Sequence, residues 1–247
     1  MLWTVCPLAL LAGFIDAVAG GGGLISLPAY YLAGLPASMA AGTNKLSATM
    51  GTVLAVYNYG RSDKINKRIG LFSGIAAVIC STMGVLLMKQ LPDRTVRILV
   101  MCCIPVAAAM TLRGRRNARA AVERSPGQVA VYSLLIGAAI GFYDGLVGPG
   151  TGTFLILLFI QVFALEDVTA SGTAKVTNLC SNLAALTSLL LTGNVLWLLG
   201  LPAGVCAMVG AAAGSRLTIR RGAKVVRGMM LCVLTLLLAK MITDMLQ

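Results

Sequence analysis

A short signature occurs twice in this chain, once in each half. The first copy reads Gly-Phe-Ile-Asp at residues 13–16 and is followed by four glycines at 20–23. The second reads Gly-Phe-Tyr-Asp at residues 141–144 and is followed by Gly-Pro-Gly-Thr-Gly at 148–152. Each copy places an acid next to a glycine break in an otherwise apolar stretch. Two such broken segments at corresponding positions predict the binding site of a membrane transporter.

The repeat extends well beyond this signature. Gly-Thr-Asn-Lys at residues 42–45 recurs as Gly-Thr-Ala-Lys at residues 172–175. From residue 35 onward, the same offset of 130 residues aligns several glycines and an arginine of the two halves. We therefore divide the chain into a first transmembrane repeat, a basic linker loop and a second transmembrane repeat, at residues 1–112, 113–128 and 129–247.

The composition requires lipid as the solvent of much of the surface. Of the 247 residues, 58% are hydrophobic and 11% are charged, whereas about a quarter of the residues in soluble domains are charged. The fold class that follows is an all-α polytopic membrane protein, with the lipid bilayer as a partner. Hydropathy indicates eight long segments, at roughly 2–19, 42–59, 70–88, 97–112, 129–147, 172–192, 196–214 and 228–246.

Two shorter apolar segments follow the glycine breaks, at roughly 24–34 and 153–164. As helices they rise about 16–18 Å, which is less than a hydrocarbon core of about 30 Å. We interpret them as half-helices that pack after a break in a membrane segment. If each completes a crossing, each half crosses the membrane about five times; if they are re-entrant, the chain crosses eight times.

The distribution of basic loops favours an inverted repeat. The loop at 60–69 has four basic residues and one acid, while its counterpart near 193–195 has none. In contrast, 216–227 has five basic residues, against three and one acid at 89–97. Because basic residues concentrate in cytoplasmic loops, equivalent loops are expected on opposite sides of the membrane. Eight passes with two halves of the same orientation are the alternative.

Charge and cysteine content argue against several classes of function. The net charge of +12 arises from short basic clusters between apolar runs, which is typical of cytoplasmic loops and not of a nucleic-acid-binding surface. The seven cysteines include no C-x-x-C pair and the chain has no histidine, so we expect neither a metal site nor a cofactor. Because no nucleophile–base pair can be named, we also expect no enzyme activity.

Asp16 and Asp144 are the first candidate functional residues. An ionised aspartate at membrane depth is expensive and is usually paired or functional. Each of these could carry a coupling proton, bind Na⁺ or pair with a lysine. The alternative is a structural role, in which the carboxylate caps free N–H groups of the adjoining glycine turn.

Lys45 and Lys175 are candidates for binding an anion. Both follow Gly-Thr near the start of a predicted helix, where free backbone N–H groups would add to an anion site; a lysine that reaches the membrane interface is the alternative. Further hydrogen bonds to the substrate are expected from Thr43, Asn44, Thr173 and Asn178. The glycines Gly21, Gly22 and Gly150 allow close approach of a ligand to the backbone, or alternatively close packing of helices.

These motifs, with their spacing and duplication, resemble the sulfite exporter TauE/SafE family of bacterial membrane permeases, and the resemblance covers essentially the whole chain. It implies a multi-pass protein of the bacterial cytoplasmic membrane that transports small sulfur-containing or organic anions, such as sulfite, sulfonates or thiosulfate. Asp16 or Asp144 would then take the proton or cation that drives alternating access. Ala174 stands where the first copy has Asn44, which leaves open whether both motifs bind substrate.

Two alternative functions stay open at this point. A cation or metal carrier would use both aspartates together with backbone carbonyl groups, and replacing the two lysines would leave its uptake intact. A non-transporting membrane scaffold or assembly protein would have no water-accessible cavity around Lys45 and Lys175. The sequence does not define the oligomeric state, for which a homodimer is one alternative.

Overall fold

The computed structural model describes residues 1–92, 94, 95, 98, 124–222, 224–226, 228 and 229. Within these residues the regular secondary structure is helical. The helices are α1 (Leu2–Ala19), α2 (Gly23–Leu32), α3 (Ala37–Arg61), α4 (Lys67–Met88), α5 (Pro126–Leu146), α6 (Thr151–Phe163), α7 (Asp167–Leu190) and α8 (Trp197–Arg221). Most of the expected helices at 97–112 and 228–246, and most of the expected linker at 113–128, lie outside the described residues.

Among the described residues, four helices, α1, α4, α5 and α8, are long and apolar enough to cross a membrane. Five of the exposed side chains of α4 form an apolar stripe at mostly four-residue spacing, which indicates a lipid-facing surface; they are Leu71, Ile75, Ile79, Met83 and Leu86. The short apolar helices α2 and α6 follow the glycine breaks. The predicted all-α polytopic membrane protein is confirmed. The inverted repeat stays a prediction.

Local sequence explains several of the helix boundaries. Gly20 takes a left-handed conformation with φ 79° and ends α1, and Gly150, with φ 84°, stands directly before α6. Both angles are accessible to glycine at little cost. Helix α5 begins with a capping box, in which Ser125 accepts from the Gln128 backbone N–H and the Gln128 side chain accepts from the Ser125 N–H. The breaks are therefore encoded by local residue chemistry.

The two halves exchange helices. In each half a long helix is followed by a short one and then by two long ones. Even so, α4 packs chiefly against α5 and α7, and α8 packs chiefly against α1 and α3. Small residues permit this close approach: a Cβ added at Gly137 or Gly145 of α5 would overlap the backbone of α4, and one at Gly210 would overlap the backbone of α1. Each half therefore depends on the other for its packing.

Helices α3 and α7 lie against each other between the exchanged helices and carry many of the buried polar side chains. They run in opposite directions where they meet. Lys45, in the first half of α3, contacts Asn182 late in α7, whereas Tyr59, near the end of α3, packs with Val168 at the start of α7. This arrangement brings the two Gly-Thr-x-Lys motifs close to the partner half's glycine break.

The helices that carry these lysines begin earlier than hydropathy predicted. Helix α3 begins at Ala37 and not near 42, and α7 begins at Asp167 and not near 172. Polar residues such as Ser38 and Thr169 lower the hydropathy of the first turns, but Pro36 and Glu166 already stand at the N-caps. Lys45 and Lys175 therefore lie inside their helices, and the expected helix N-terminus beside each lysine is absent from these positions.

Candidate functional site

In the part of the chain that the structure describes, two largely buried ion pairs join the two halves. The Lys45 Nζ lies 2.6 Å from Asp144 Oδ2, and the Lys175 Nζ lies 2.7 Å from Asp16 Oδ2. The Lys175 side chain is fully buried and that of Asp144 is 2% exposed, whereas Asp16 keeps 21% of its side-chain surface. Charges this far from water persist because each has an opposite charge in contact.

Each aspartate also holds the beginning of the short helix in its own half. The Gly22 N–H, at the start of α2, donates to Asp16 Oδ1 at 3.4 Å. The Thr151 hydroxyl, at the start of α6, donates to Asp144 Oδ1 at 2.8 Å. A carboxylate at a helix N-terminus interacts favourably with the helix dipole. Each carboxylate therefore has both roles: it pairs with a lysine and it accepts a hydrogen bond at the start of a short helix.

The two glycine breaks lie in direct contact. A Cβ added at Gly20 would overlap the backbone of Gly152, and one added at Gly152 would overlap Gly20. Two hydrogen bonds join the breaks: the Thr153 N–H donates to the Gly20 carbonyl at 3.3 Å, and the Thr153 hydroxyl donates to the Ala19 carbonyl at 2.8 Å. Among residues 20–23, Gly20 alone has a positive φ. The glycines therefore bring the two breaks to backbone contact.

A cavity lies beside this crossing and has about 50 Å³ in which the centre of a water molecule fits. Both halves contribute to its wall. The predicted site residues in the wall are Asp16, Gly22, Asn44, Lys45, Asp144, Gly150 and Asn178. Polar residues of the wall that the sequence analysis missed are Ser26, Ser47, Thr52, Thr151 and Asn182. The predicted residues Gly21, Thr43, Thr173 and Lys175 are outside the wall of this cavity.

Thr43 and Thr173 contact the starts of exchanged helices. The Thr43 hydroxyl accepts from the backbone N–H of Leu196, the N-cap residue of α8, at 3.0 Å. The Thr173 hydroxyl accepts from the N–H of Asn66, the N-cap residue of α4, at 2.9 Å. An N–H at a helix start has no partner within its own helix. The two hydroxyls therefore provide acceptors for backbone N–H groups at the helix starts of the other half.

Lys45 has a richer set of partners than Lys175. Its ammonium group also donates to Asn182 Oδ1 at 2.8 Å, and Asn182 Nδ2 donates to Asn178 Oδ1 at 3.2 Å. Among the described residues, the Lys175 ammonium donates to Asp16 alone. Asn182 follows Asn178 by four residues on α7, which places both on one helix face. That spacing was a sequence signal that could have identified Asn182.

Comparison with known proteins assigns the family. The profile described as sulfite exporter TauE/SafE matches residues 5–241. The chain belongs to this family. It is 33% identical over 236 residues to the probable membrane transporter protein ORF9 of a Sinorhizobium species, an alignment that covers 96% of this chain and 90% of the relative. No solved structure gives a significant match.

Two further relatives of this TauE/SafE protein have names of the same kind. The probable membrane transporter protein YfcA of Escherichia coli K12 is 32% identical over 240 residues, covering 96% of this chain and 87% of the relative. A probable membrane transporter protein of Haemophilus influenzae is 32% identical over 235 residues, covering 95% and 91%. Together with the apolar helices, these matches identify a multi-pass member of a membrane transporter family.

Proposed function

We propose that this protein is a secondary transporter that moves a small anion, of the size of sulfite, across the bacterial cytoplasmic membrane. The observation that carries the proposal is the position of Lys45. It lines a cavity between two broken membrane segments, and Asp144 and Asn182 accept only two of its three N–H groups. The third N–H is then left for an oxygen of the substrate.

The size of the cavity supports a small substrate. A cavity needs about 10–15 Å³ of space to hold one water molecule, so this cavity has room for a few water molecules. Sulfite, with four non-hydrogen atoms, is of this size. Thiosulfate and the smallest sulfonates come next in size. The family name, which refers to sulfite export, agrees with a substrate of this class.

The Lys45–Asp144 pair supports coupling of the anion to a proton. While Asp144 is ionised, it balances the charge of Lys45, and an anion has no net attraction to this point. Protonation of Asp144 removes its negative charge, so a monovalent anion such as hydrogen sulfite, the singly protonated form of sulfite, can take over as the partner of Lys45. One proton and one such anion would then move together without net charge. The other charged groups at this centre, among the described residues, are Asp16 and Lys175.

The inverted repeat is part of this proposal. Helices α3 and α7 cross in opposite directions, and the two glycine breaks meet at the cavity. Inverted repeats of this kind allow alternating access when one half rocks against the other around a site near the bilayer midplane. Backbone outside helices is tolerated at that depth when it is buried or lines a water-filled cavity, as the breaks do.

The test is transport of radiolabelled sulfite into proteoliposomes that contain the purified protein. We expect uptake above that of empty liposomes, faster when the outside is more acidic, and at least ten-fold slower in Lys45→Gln. The matched control is Lys64→Gln. Lys64 is a partly exposed lysine whose Nζ lies 3.3 Å from Glu166 Oε2, and it is outside the cavity wall. Asp144→Asn is expected to transport without a response to the pH gradient.

Two results would overturn this function. The first is that the wild-type protein moves neither sulfite, thiosulfate nor a small sulfonate faster than empty liposomes do. The second is that Lys45→Gln, folded as judged by size-exclusion chromatography, transports sulfite at the wild-type rate. Uptake of radiolabelled Na⁺ that survives replacement of both lysines would identify a cation carrier instead, although both carboxylates that such a carrier needs are already paired with lysine.

A further inference from the structure

Thr52 has a buried hydroxyl group with no partner. The residue is 1% exposed and lines the cavity, and its Oγ1 makes no hydrogen bond to any described residue. In contrast, the hydroxyl of Thr49 on the same helix donates to the backbone carbonyl one turn earlier, that of Lys45, at 2.7 Å. Because nearly all buried hydroxyls in proteins are paired, an orphan hydroxyl on a residue of the cavity wall is available to a partner that binds there.

Asn178 provides a second donor, and the chain of hydrogen bonds from Lys45 fixes its orientation. An ammonium group can only donate, so the atom of Asn182 that faces Lys45 must be the oxygen. The amino group of Asn182 therefore faces Asn178 and donates to its oxygen. The Asn178 amino group must then point elsewhere, and among the described residues it has no acceptor. Asn178 also lines the cavity.

The same positions in the other half carry different residues. In the register that pairs Gly42 with Gly172, Asn178 corresponds to Ala48 and Asn182 to Thr52. Lys175 therefore lacks a counterpart of the two linked amides, Asn182 and Asn178, of which Asn182 accepts from Lys45. Lys175 is also fully buried and outside the cavity wall. The duplicated lysines thus have unequal access to a ligand.

From these observations, and resting on the proposed function, we propose that one anion binds per chain, in an asymmetric subsite formed by Lys45, Asn178 and Thr52. The three side chains offer an ammonium N–H, an amide N–H and a hydroxyl, which match an oxyanion with three oxygens such as sulfite. Although Asp16 also lines the cavity, Lys175 lies outside its wall, and the Lys175–Asp16 pair does not bind the anion. It acts as a fixed link that holds α1 against α7 and positions the first glycine break.

Equilibrium binding of radiolabelled sulfite to the purified full-length protein tests the subsite. Thr52→Val keeps the shape of the side chain and removes its hydroxyl, and we expect about ten-fold or more weaker binding, as for the loss of a hydrogen bond to a charged group. The matched control is Ser133→Ala. Ser133 is fully buried on α5, its hydroxyl is also without a partner among the described residues, and it is outside the cavity wall; its removal should change the affinity less than two-fold.

The two ion pairs are compared with variants that leave no unpaired charge. Lys45→Gln/Asp144→Asn should lose sulfite binding by at least a hundred-fold, while Lys175→Gln/Asp16→Asn should stay within about three-fold of the wild type. The melting temperature of each variant shows whether it is folded. Removing an orphan hydroxyl is not expected to lower stability, so weaker binding by Thr52→Val cannot be attributed to misfolding.

The outcomes separate this inference from the function on which it rests. If the wild type binds one sulfite per chain and the variants behave as expected, the subsite is supported. Three results would show that the asymmetric subsite is wrong while the anion transporter stands, each with sulfite still bound by the wild type. They are an equal affinity of Thr52→Val and Ser133→Ala, an equal loss of binding in both paired variants, and two sulfites bound per chain. If the wild type binds neither sulfite nor thiosulfate nor methanesulfonate, the transporter proposal fails first.

Discussion

The two lysine–aspartate pairs are copies of each other in sequence but differ in their surroundings. Lys45 lies in the wall of the cavity, and its ammonium group donates hydrogen bonds to both Asp144 and Asn182. Lys175 is sealed from the cavity, and its partner Asp16 is the more exposed of the two aspartates. Duplication explains why both pairs exist, but the neighbours of each pair, which have diverged, decide what the pair can do. The repeat therefore predicts that each lysine pairs with an aspartate, but it does not predict which lysine lines the cavity.

The largest loss of stability is expected when the aspartate of one lysine–aspartate pair is replaced and its lysine is kept. Asp16→Asn leaves the fully buried Lys175 without a carboxylate or a second acceptor among the described residues, and we expect a loss of about 3–5 kcal/mol in the free energy of unfolding. Asp144→Asn should cost less, about 1–3 kcal/mol, because Asn182 still accepts from Lys45. Denaturation in one detergent at one pH measures both values.

The control for this prediction is Lys175→Gln/Asp16→Asn, which removes both charges and should recover most of the stability lost in Asp16→Asn. A larger loss in Asp144→Asn than in Asp16→Asn would show that the Lys45–Asp144 pair is the main structural link, which would reverse the comparison between the two pairs.

The glycine breaks give the next contrast. Gly20 and Gly148 follow the aspartates at the same distance in the two copies and both have positive φ, of 79° and 90°. Gly20→Ala adds a Cβ that overlaps Gly152, whereas a Cβ at Gly148 would lie 3.5 Å from its nearest neighbour, the Asp144 carbonyl oxygen. We expect about 1–2 kcal/mol of destabilisation from backbone strain in both, with a further loss of about 1–3 kcal/mol in Gly20→Ala.

Melting temperatures measured side by side test this difference. Gly34→Ala isolates the strain contribution, because Gly34 has a φ of 82° and no atom within 4 Å of the added Cβ. Gly34→Ala and Gly148→Ala should therefore agree, and Gly20→Ala should melt lowest. Equal melting temperatures for all three would contradict backbone contact between the two breaks.

The smallest effect is expected at the two threonines of the repeated lysine motif. Thr43→Val and Thr173→Val each leave a backbone N–H at the start of an exchanged helix without its acceptor, at a cost of about 1–2 kcal/mol. Thr43→Val should cost slightly more, since α8 has no side-chain cap, whereas Asn66 caps α4 by accepting from the Ile69 N–H at 3.1 Å.

Unfolding measurements on the two threonine variants, with sulfite binding as a second readout, distinguish a structural from a binding role. We expect sulfite affinity within two-fold of the wild type in both. A strong loss of affinity in either variant, without loss of stability, would restore the substrate-binding role that the sequence motif suggested for these hydroxyls.

Several features of the site were accessible from the sequence because they depend on local chemistry. The glycine breaks predicted where membrane helices end and where the short helices α2 and α6 follow. The rarity of charge in apolar segments drew attention to Asp16, Lys45, Asp144 and Lys175. Asp16 and Lys175 are brought together, as are Lys45 and Asp144, and pairing with a lysine was among the possibilities raised for the aspartates.

Other features were missed because they depend on contacts between distant segments. Hydropathy placed the starts of α3 and α7 too late, since a helix buried in protein tolerates polar residues in its first turns. Asn182 looks like an ordinary polar residue of an apolar helix until packing places it beside Lys45, and Thr52 looks like another until packing places it in the cavity wall. Nothing in the local sequence shows that the Thr43 and Thr173 hydroxyls accept hydrogen bonds from the other half.

The sequence by itself determined that this chain is an all-helical membrane protein, that it is built from two related halves with a glycine break in each, and that it belongs to a family of membrane transporters. The first two conclusions rest on hydropathy, glycine conformation and repetition, which are properties of short segments, and the third rests on similarity to known proteins. The tertiary structure alone decided that the halves exchange helices, that each lysine pairs with the aspartate of the other half, and that one lysine of the two lines the cavity. These are consequences of long-range packing, in which the cost of burying a charge is offset only by a partner that the fold brings from far along the chain.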